Sequence, residues 1–132
     1  MSGSGTIDDP WVLTTPSGGS EYQMHLDPEA GLLVCQVGKT KLTYLARALD
    51  DLHGWLAAQG DWVLLGGADE QKPAAEGTVE AWGRAEDNPV GGWYGQKKGL
   101  RGRFGVYVPP VLVEQGRAEI KVESRKAYVR AL

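Results

Sequence analysis

Tyr22, Met24 and Leu26 alternate with Glu21, Gln23 and His25, the period of two expected of a strand with one buried face. A short extended piece, Trp11 to Leu13, precedes it between Asp8-Asp9-Pro10 and the turn-forming run Thr14-Thr15-Pro16-Ser17-Gly18-Gly19. Asp27-Pro28-Glu29-Ala30-Gly31 turns the chain into a second strand, Leu32 to Val37. Gly38-Lys39 makes a tight turn and Thr40 to Tyr44 a third strand, which together predict an antiparallel meander. At Leu45 the period lengthens. Leu45, Leu49, Leu52, Trp55 and Leu56 recur at helical spacing, and Gly60 is the stop. Asp61 to Leu65 is expected to return as a strand beside the meander.

The last half is less regular. Gly66 to Gly77 is polar and predicts a surface loop able to act as a hinge. Thr78 can cap a short helix through Trp82, and Asn88-Pro89 can start another reaching Lys98, although Gly91-Gly92 weakens it. Pro109-Pro110 opens a short helix that Gly116 ends. Ala118 to Val122 and Lys126 to Arg130 then form a hairpin turning at Ser124-Arg125. The pattern predicts an α+β fold: an antiparallel strand meander packed on one long helix, followed by short helices and a C-terminal β-hairpin. Helix, glycine and basic hairpin is also the outline of a winged-helix C-terminus. The length fits a single domain over residues 8–132 after a flexible leader over residues 1–7.

Composition adds boundaries. Hydrophobic content of 42% and charged content of 23% belong to a globular chain. No apolar run approaches the ~18 residues of a membrane helix, and no charged start leads into an apolar block as in a secretory signal. The single cysteine, Cys35, cannot form an internal disulfide, which fits a reducing cytoplasm; its place in mid-strand is that of a small core residue. The formal charge of −3 conceals a division. Most of the acid precedes Asn88, and no Asp or Glu occurs from there to Val113.

That acid-free stretch carries the strongest candidate chemistry. Trp93, Tyr94, Phe104 and Tyr107 are interleaved with Lys97, Lys98, Arg101 and Arg103. Cations that attract phosphate and flat rings on which bases stack are the two parts of a nucleic-acid surface. Gly99, Gly102 and Gly105 would let a backbone approach closely, and Arg125, Lys126 and Arg130 could extend the patch as a wing does. The leading expectation is a non-enzymatic module that binds nucleic acid or another anionic ligand through Trp93, Tyr94, Lys97, Lys98, Arg101, Arg103, Arg125 and Lys126. The competing expectation is that these cations pair with the protein's own acidic front.

Other chemistry is thinner. Gly38-Lys39-Thr40 lacks the earlier glycine of a phosphate loop, whose place is taken by Leu33. Asp50 and His53 can neighbour each other on the helix, but there is no zinc-type spacing, and nothing requires a cofactor or metal. Glu21 and His25 share the polar face of the first long strand. With the acidic loop Asp69-Glu70 they are the residues from which a small hydrolytic or proton-transfer enzyme would be assembled. A protein-interaction module, including a homodimer, would instead show an exposed apolar patch.

The strings Asp8-Asp9-Pro10-Trp11, Val37-Gly38-Lys39-Thr40, Gly77-Thr78-Val79-Glu80-Ala81-Trp82-Gly83-Arg84, Asn88-Pro89-Val90-Gly91-Gly92-Trp93-Tyr94-Gly95 and Lys97-Lys98-Gly99-Leu100-Arg101-Gly102-Arg103-Phe104-Gly105 resemble a family of small uncharacterised bacterial proteins, many of them actinobacterial. The resemblance runs from Asp8 to about Ala118. It implies a bacterial cytoplasmic protein and assigns no activity. Glu123-Ser124-Arg125-Lys126-Ala127-Tyr128 departs from the asparagine- and arginine-rich hairpin that the resemblance leads one to expect.

Overall fold

A computed structural model describes residues 3–132. The alternating front half forms a four-stranded antiparallel sheet in sequence order: β1 (Trp11–Thr14), β2 (Glu21–Asp27), β3 (Leu32–Val37) and β4 (Thr40–Leu45). Its register sets Trp11 opposite Met24, Leu13 opposite Tyr22, Met24 opposite Cys35 and Leu33 opposite Tyr44. All of these side chains are buried, so one face carries the core. A slip of one residue would turn the whole set to water, which is why the alternation fixes the pairing. The helix α1 (Ala48–Gln59) buries Leu49, Leu52 and Leu56, each worth roughly 2 kcal/mol over its exposed state. Gly60 ends it in a left-handed conformation, φ 67°, and donates its N–H to the Leu56 carbonyl.

β5 (Val63–Leu64) corrects the expectation of a strand beside the meander. It lies in a second sheet of order β5-β7-β6, built with the C-terminal hairpin strands β6 (Ala118–Glu123) and β7 (Lys126–Ala131). Val63 faces Val129, and Leu65 N–H donates to the Ala127 carbonyl at 3.0 Å. The β4 edge of the meander is taken from Thr43 to Leu45, where Leu45 N–H donates to the Tyr94 carbonyl at 2.9 Å and Gln96 N–H to the Thr43 carbonyl at 2.8 Å.

The helix α2 (Val79–Trp82) begins as its cap predicts, with Thr78 Oγ1 accepting the Ala81 N–H at 3.1 Å. The helix expected from Asn88 to Lys98 does not form. The Asn88 amide donates to the carbonyls of Trp82 and Gly92, and its oxygen accepts the N–H groups of Val90 and Gly92, so the side chain organises a loop. Gly91 at φ 75° belongs to that loop, where a helix would be broken. Two short helices come next, α3 (Phe104–Tyr107) and α4 (Pro109–Glu114). The winged-helix outline goes no further than the order of elements: Pro109, Pro110, Val111 and Leu112 of the six-residue α4 are buried, leaving no recognition helix exposed there.

One hydrophobic cluster runs through both sheets. At its centre is a column of rings. Trp55 stacks on Trp82 at 5.2 Å between centroids, Trp82 on Tyr94 at 5.3 Å and Tyr94 on Phe104 at 5.3 Å, and Tyr44 meets Phe104 edge-on at 5.8 Å. The column joins α1, α2, α3 and β4, each pair adding about 1 kcal/mol to its area burial. The leader expected over residues 1–7 is anchored from Gly3 onward: Gly3 N–H donates to the Pro10 carbonyl, and the Gly5 carbonyl accepts the Leu26 N–H at 2.8 Å. Met1 and Ser2 lie outside the described residues.

Candidate functional site

The fold divides the basic aromatic segment into parts with different roles. Tyr94 is 0% exposed and donates its hydroxyl to Asp51 Oδ2 at 2.8 Å, so it offers no face to a base. Phe104 and Tyr107 are buried as well. Trp93 is held between two guanidinium groups, Arg84 at 4.4 Å and Arg101 at 4.6 Å from its ring centroid. Arg101 also pairs with Glu70, and Arg117 pairs with Asp50 at 2.8 Å, so part of the basic charge does meet the acidic front. Gly102 and Gly105 give close approach to the protein's own backbone. A methyl group on Gly102 would strike Asp69 and Glu70, and one on Gly105 would strike Leu65.

The centre of this region is a pair that sequence reading passed over. Glu80 is 1% exposed, accepts the Gly105 N–H on Oε1 at 2.8 Å and pairs through Oε2 with Arg84. Arg84 in turn donates to the carbonyls of Lys72 and Ala68, both at 2.9 Å. Burial outweighs these contacts and raises the Glu80 carboxyl above the ordinary range, while Arg84 and the Gly105 N–H pull the other way. The loop expected to be a hinge is thus fastened to α2. The four-residue spacing of Glu80 and Arg84 on a helix was the available signal.

Lys97, Lys98 and Arg103 are exposed, and among the described residues they form no ion pair. Arg125 and Lys126 share that condition at the β6–β7 turn. They line a groove of about 310 Å³ together with Thr15, Pro16, Leu64, Leu65 and Val106. A further hollow of about 380 Å³, bounded by Ser17, Val122, Arg125 and Ala127, continues it towards the hairpin tip. No Asp or Glu lines either space.

The backbone adds a feature of its own. Arg103 at φ 61°, Ser124 at 50° and Arg125 at 67° are the non-glycine residues with positive φ among those described. The left-handed region costs an L-residue roughly 1–2 kcal/mol, and a two-residue turn of this kind favours Asn-Gly. Arg103 and the hairpin are each bonded to the segment that follows β5: Arg103 N–H donates to the Ala68 carbonyl, and Leu65 N–H to that of Ala127. Arg125 lines the groove, whereas Arg103 lies at a separate hollow with Asp69 and Glu70.

Glu21 and His25 keep their places on the outer face of β2, but among the described residues neither bonds to the other or to the acidic loop, and Glu70 is engaged by Arg101. Cys35 is fully buried, and burial pushes its thiol up to about 12, which makes it an unreactive core residue. Trp62 is half-buried beside the second sheet, with Arg130 at 4.5 Å and Lys121 at 4.6 Å from its ring. Among the described residues no helix is long and apolar enough to cross a membrane.

No curated protein and no solved structure matches the chain. A family model does match, over residues 3–132, and the chain belongs to that family, the family of unknown function DUF6855.

Proposed function

We propose that the protein is a non-enzymatic binding module that takes an anionic partner in the groove beside the β6–β7 hairpin. The observation that carries this reading is the lining: a space of about 310 Å³ with an apolar floor from Pro16, Leu64, Leu65 and Val106, two cations at Arg125 and Lys126, and no carboxylate. In a protein of net charge −3, such a rim gives a local field opposite in sign to the whole. The size is at the lower end for a small-ligand site, which suits a phosphate or carboxylate on a compact apolar body. Strained residues that persist at a cost are a recognised accompaniment of binding sites.

Nucleic acid is the second reading, favoured by the exposed and unpaired Lys97 and Lys98. With Tyr94 buried and Trp93 enclosed, it rests on phosphate contacts, with no contribution from base stacking.

The two readings separate in one titration series. Labelled single-stranded and duplex DNA and RNA are titrated at ~50 mM and ~200 mM salt, and a panel of small organic phosphates and carboxylates is screened by calorimetry. Binding of a small anion that Arg125→Ser and Lys126→Ser weaken by about tenfold, equivalent to one lost charged contact, supports the groove. Salt-dependent oligonucleotide binding that responds to Lys97→Ser and Lys98→Ser, and not to the hairpin variants, supports the second reading. Absence of binding in both arms overturns the module.

A further inference from the structure

The lining of the groove beside the β6–β7 hairpin specifies more than the sign of its ligand. Its floor is aliphatic, since Pro16, Leu64, Leu65 and Val106 carry no side-chain hydrogen-bonding group. The polar side chains around it are the hydroxyls of Thr15 and Ser17 and the cations Arg125 and Lys126. The two hydroxyls are already used: they bond to each other at 3.4 Å, and Thr15 Oγ1 also accepts the Ser20 N–H at 3.2 Å. No side-chain amide, carboxylate, imidazole or aromatic ring lines the space. The adjoining hollow meets the groove at Ser17, Arg125 and Ala127, and the one further residue it adds is Val122. The aliphatic surface therefore lies mainly on the groove side of Arg125.

Each kind of anion makes its own demand on such a lining. A nucleotide needs a flat partner for its base, and a sugar phosphate needs donors and acceptors for its hydroxyls, which are costly to bury without them. The side chains of the groove supply neither. An alkyl chain asks for apolar contact alone. We infer, resting on the groove reading above, that the ligand is an anion carried on an aliphatic chain: a medium-chain carboxylate or alkyl phosphate. Its head is held by Arg125 and Lys126, and its chain lies against Pro16, Leu64, Leu65 and Val106. Cations at the rim and an aliphatic floor are complementary to the two ends of one such molecule.

Calorimetric titration of the full chain tests it, using straight-chain carboxylates from acetate through hexanoate and octanoate to decanoate and the matching alkyl phosphates, all below their micelle concentrations. Circular dichroism confirms that each variant is folded. Binding is expected to tighten by about fourfold for each added methylene until the floor is covered. Tightening in either series supports the inference, and the series in which it is stronger names the head. Arg125→Ser and Lys126→Ser should weaken every chain length by the same factor, about tenfold, and leave the gain per methylene intact. Leu64→Thr and Val106→Thr put a hydroxyl in the floor and should reduce that gain, whereas Val122→Thr, in the adjoining hollow, should leave it unchanged. Small anions that bind without regard to chain length overturn the aliphatic ligand and leave the groove reading standing. A gain per methylene indifferent to both Leu64→Thr and Val106→Thr overturns it as well. No binding by any member of either series overturns both.

Discussion

The hydroxyl of Tyr94 and the carboxylate of Asp51 meet at 2.8 Å, and through them the loop after α2 is tied to the long helix. Asp51 is already engaged by Arg47 four residues before it, at 2.7 Å, so the helix supplies a charged acceptor with one oxygen fixed. Burial, followed by Asp51, raises the Tyr94 phenol above its ordinary value. Tyr94→Phe removes one hydrogen bond to a charged group while leaving the Asp51 carboxylate paired. The expected loss is about 1–2 kcal/mol, read as a lower urea midpoint at unchanged slope. Tyr94→Ala also opens the ring column and is expected to cost about 3–5 kcal/mol.

Glu80 and Arg84 give the largest effect of a single polar change. Glu80→Gln leaves a mostly buried guanidinium without its counter-charge, and Arg84→Met strands a carboxylate that is 1% exposed. Each is expected to destabilise by about 3–5 kcal/mol in chemical unfolding. The double variant should lose less than the sum, since the two changes act on one interaction.

Arg103 and Arg125 should respond in the opposite direction. Glycine relieves the left-handed strain at φ 61° and 67° and returns part of the gain as chain entropy, so Arg103→Gly and Arg125→Gly are each expected to stabilise by up to about 1 kcal/mol. The same Arg125 variant should weaken anion binding at the groove. A rise in thermal midpoint accompanied by lost affinity would mark a residue kept for binding at the expense of stability.

Alkaline pH is expected to unfold the protein earlier than its charge alone suggests. The thiol of Cys35 is raised from 9.0 to about 12 by burial, and burial also raises the phenols of Tyr22, Tyr44 and Tyr94. All are neutral in the folded state, whereas the unfolded chain ionises them at their ordinary values. Their contribution is fully present below about pH 9 and declines as pH climbs towards the folded values. Denaturation midpoints measured from pH 7 to 11 should fall beyond pH 9. A thiol reagent at pH 8 should label Cys35 only as fast as the chain unfolds.

The sequence disclosed the elements whose signals are local. Alternation over Glu21–Leu26, the leucines of α1, Thr78 and the Ser124–Arg125 turn each specify structure within a few residues, and the corresponding elements are present. What it concealed depends on long-range pairing. Val63–Leu64 has the same pattern whichever sheet it joins, and only the β4 edge, closed by residues far along the chain, directs it to β7. The candidate surface failed to read cleanly for the same reason. Composition locates Tyr94 and Lys98 in one segment, but Tyr94 goes to the core while Lys98 remains in water. Arg125 and Lys126 were legible as cations; the groove they line requires Pro16, Leu65 and Val106, which approach only in the folded chain.

The ring column that runs from Trp55 to Tyr44 has a consequence for how the molecule opens. The two sheets share no strand: the column reaches the first through Tyr44, and the second enters the same buried cluster through Val63, Ala118 and Val129. Neither sheet can part from that cluster without uncovering apolar surface that the other also packs against. Their most protected amides should therefore exchange with deuterium at a common rate set by global unfolding, and the tryptophan emission should change in the same step.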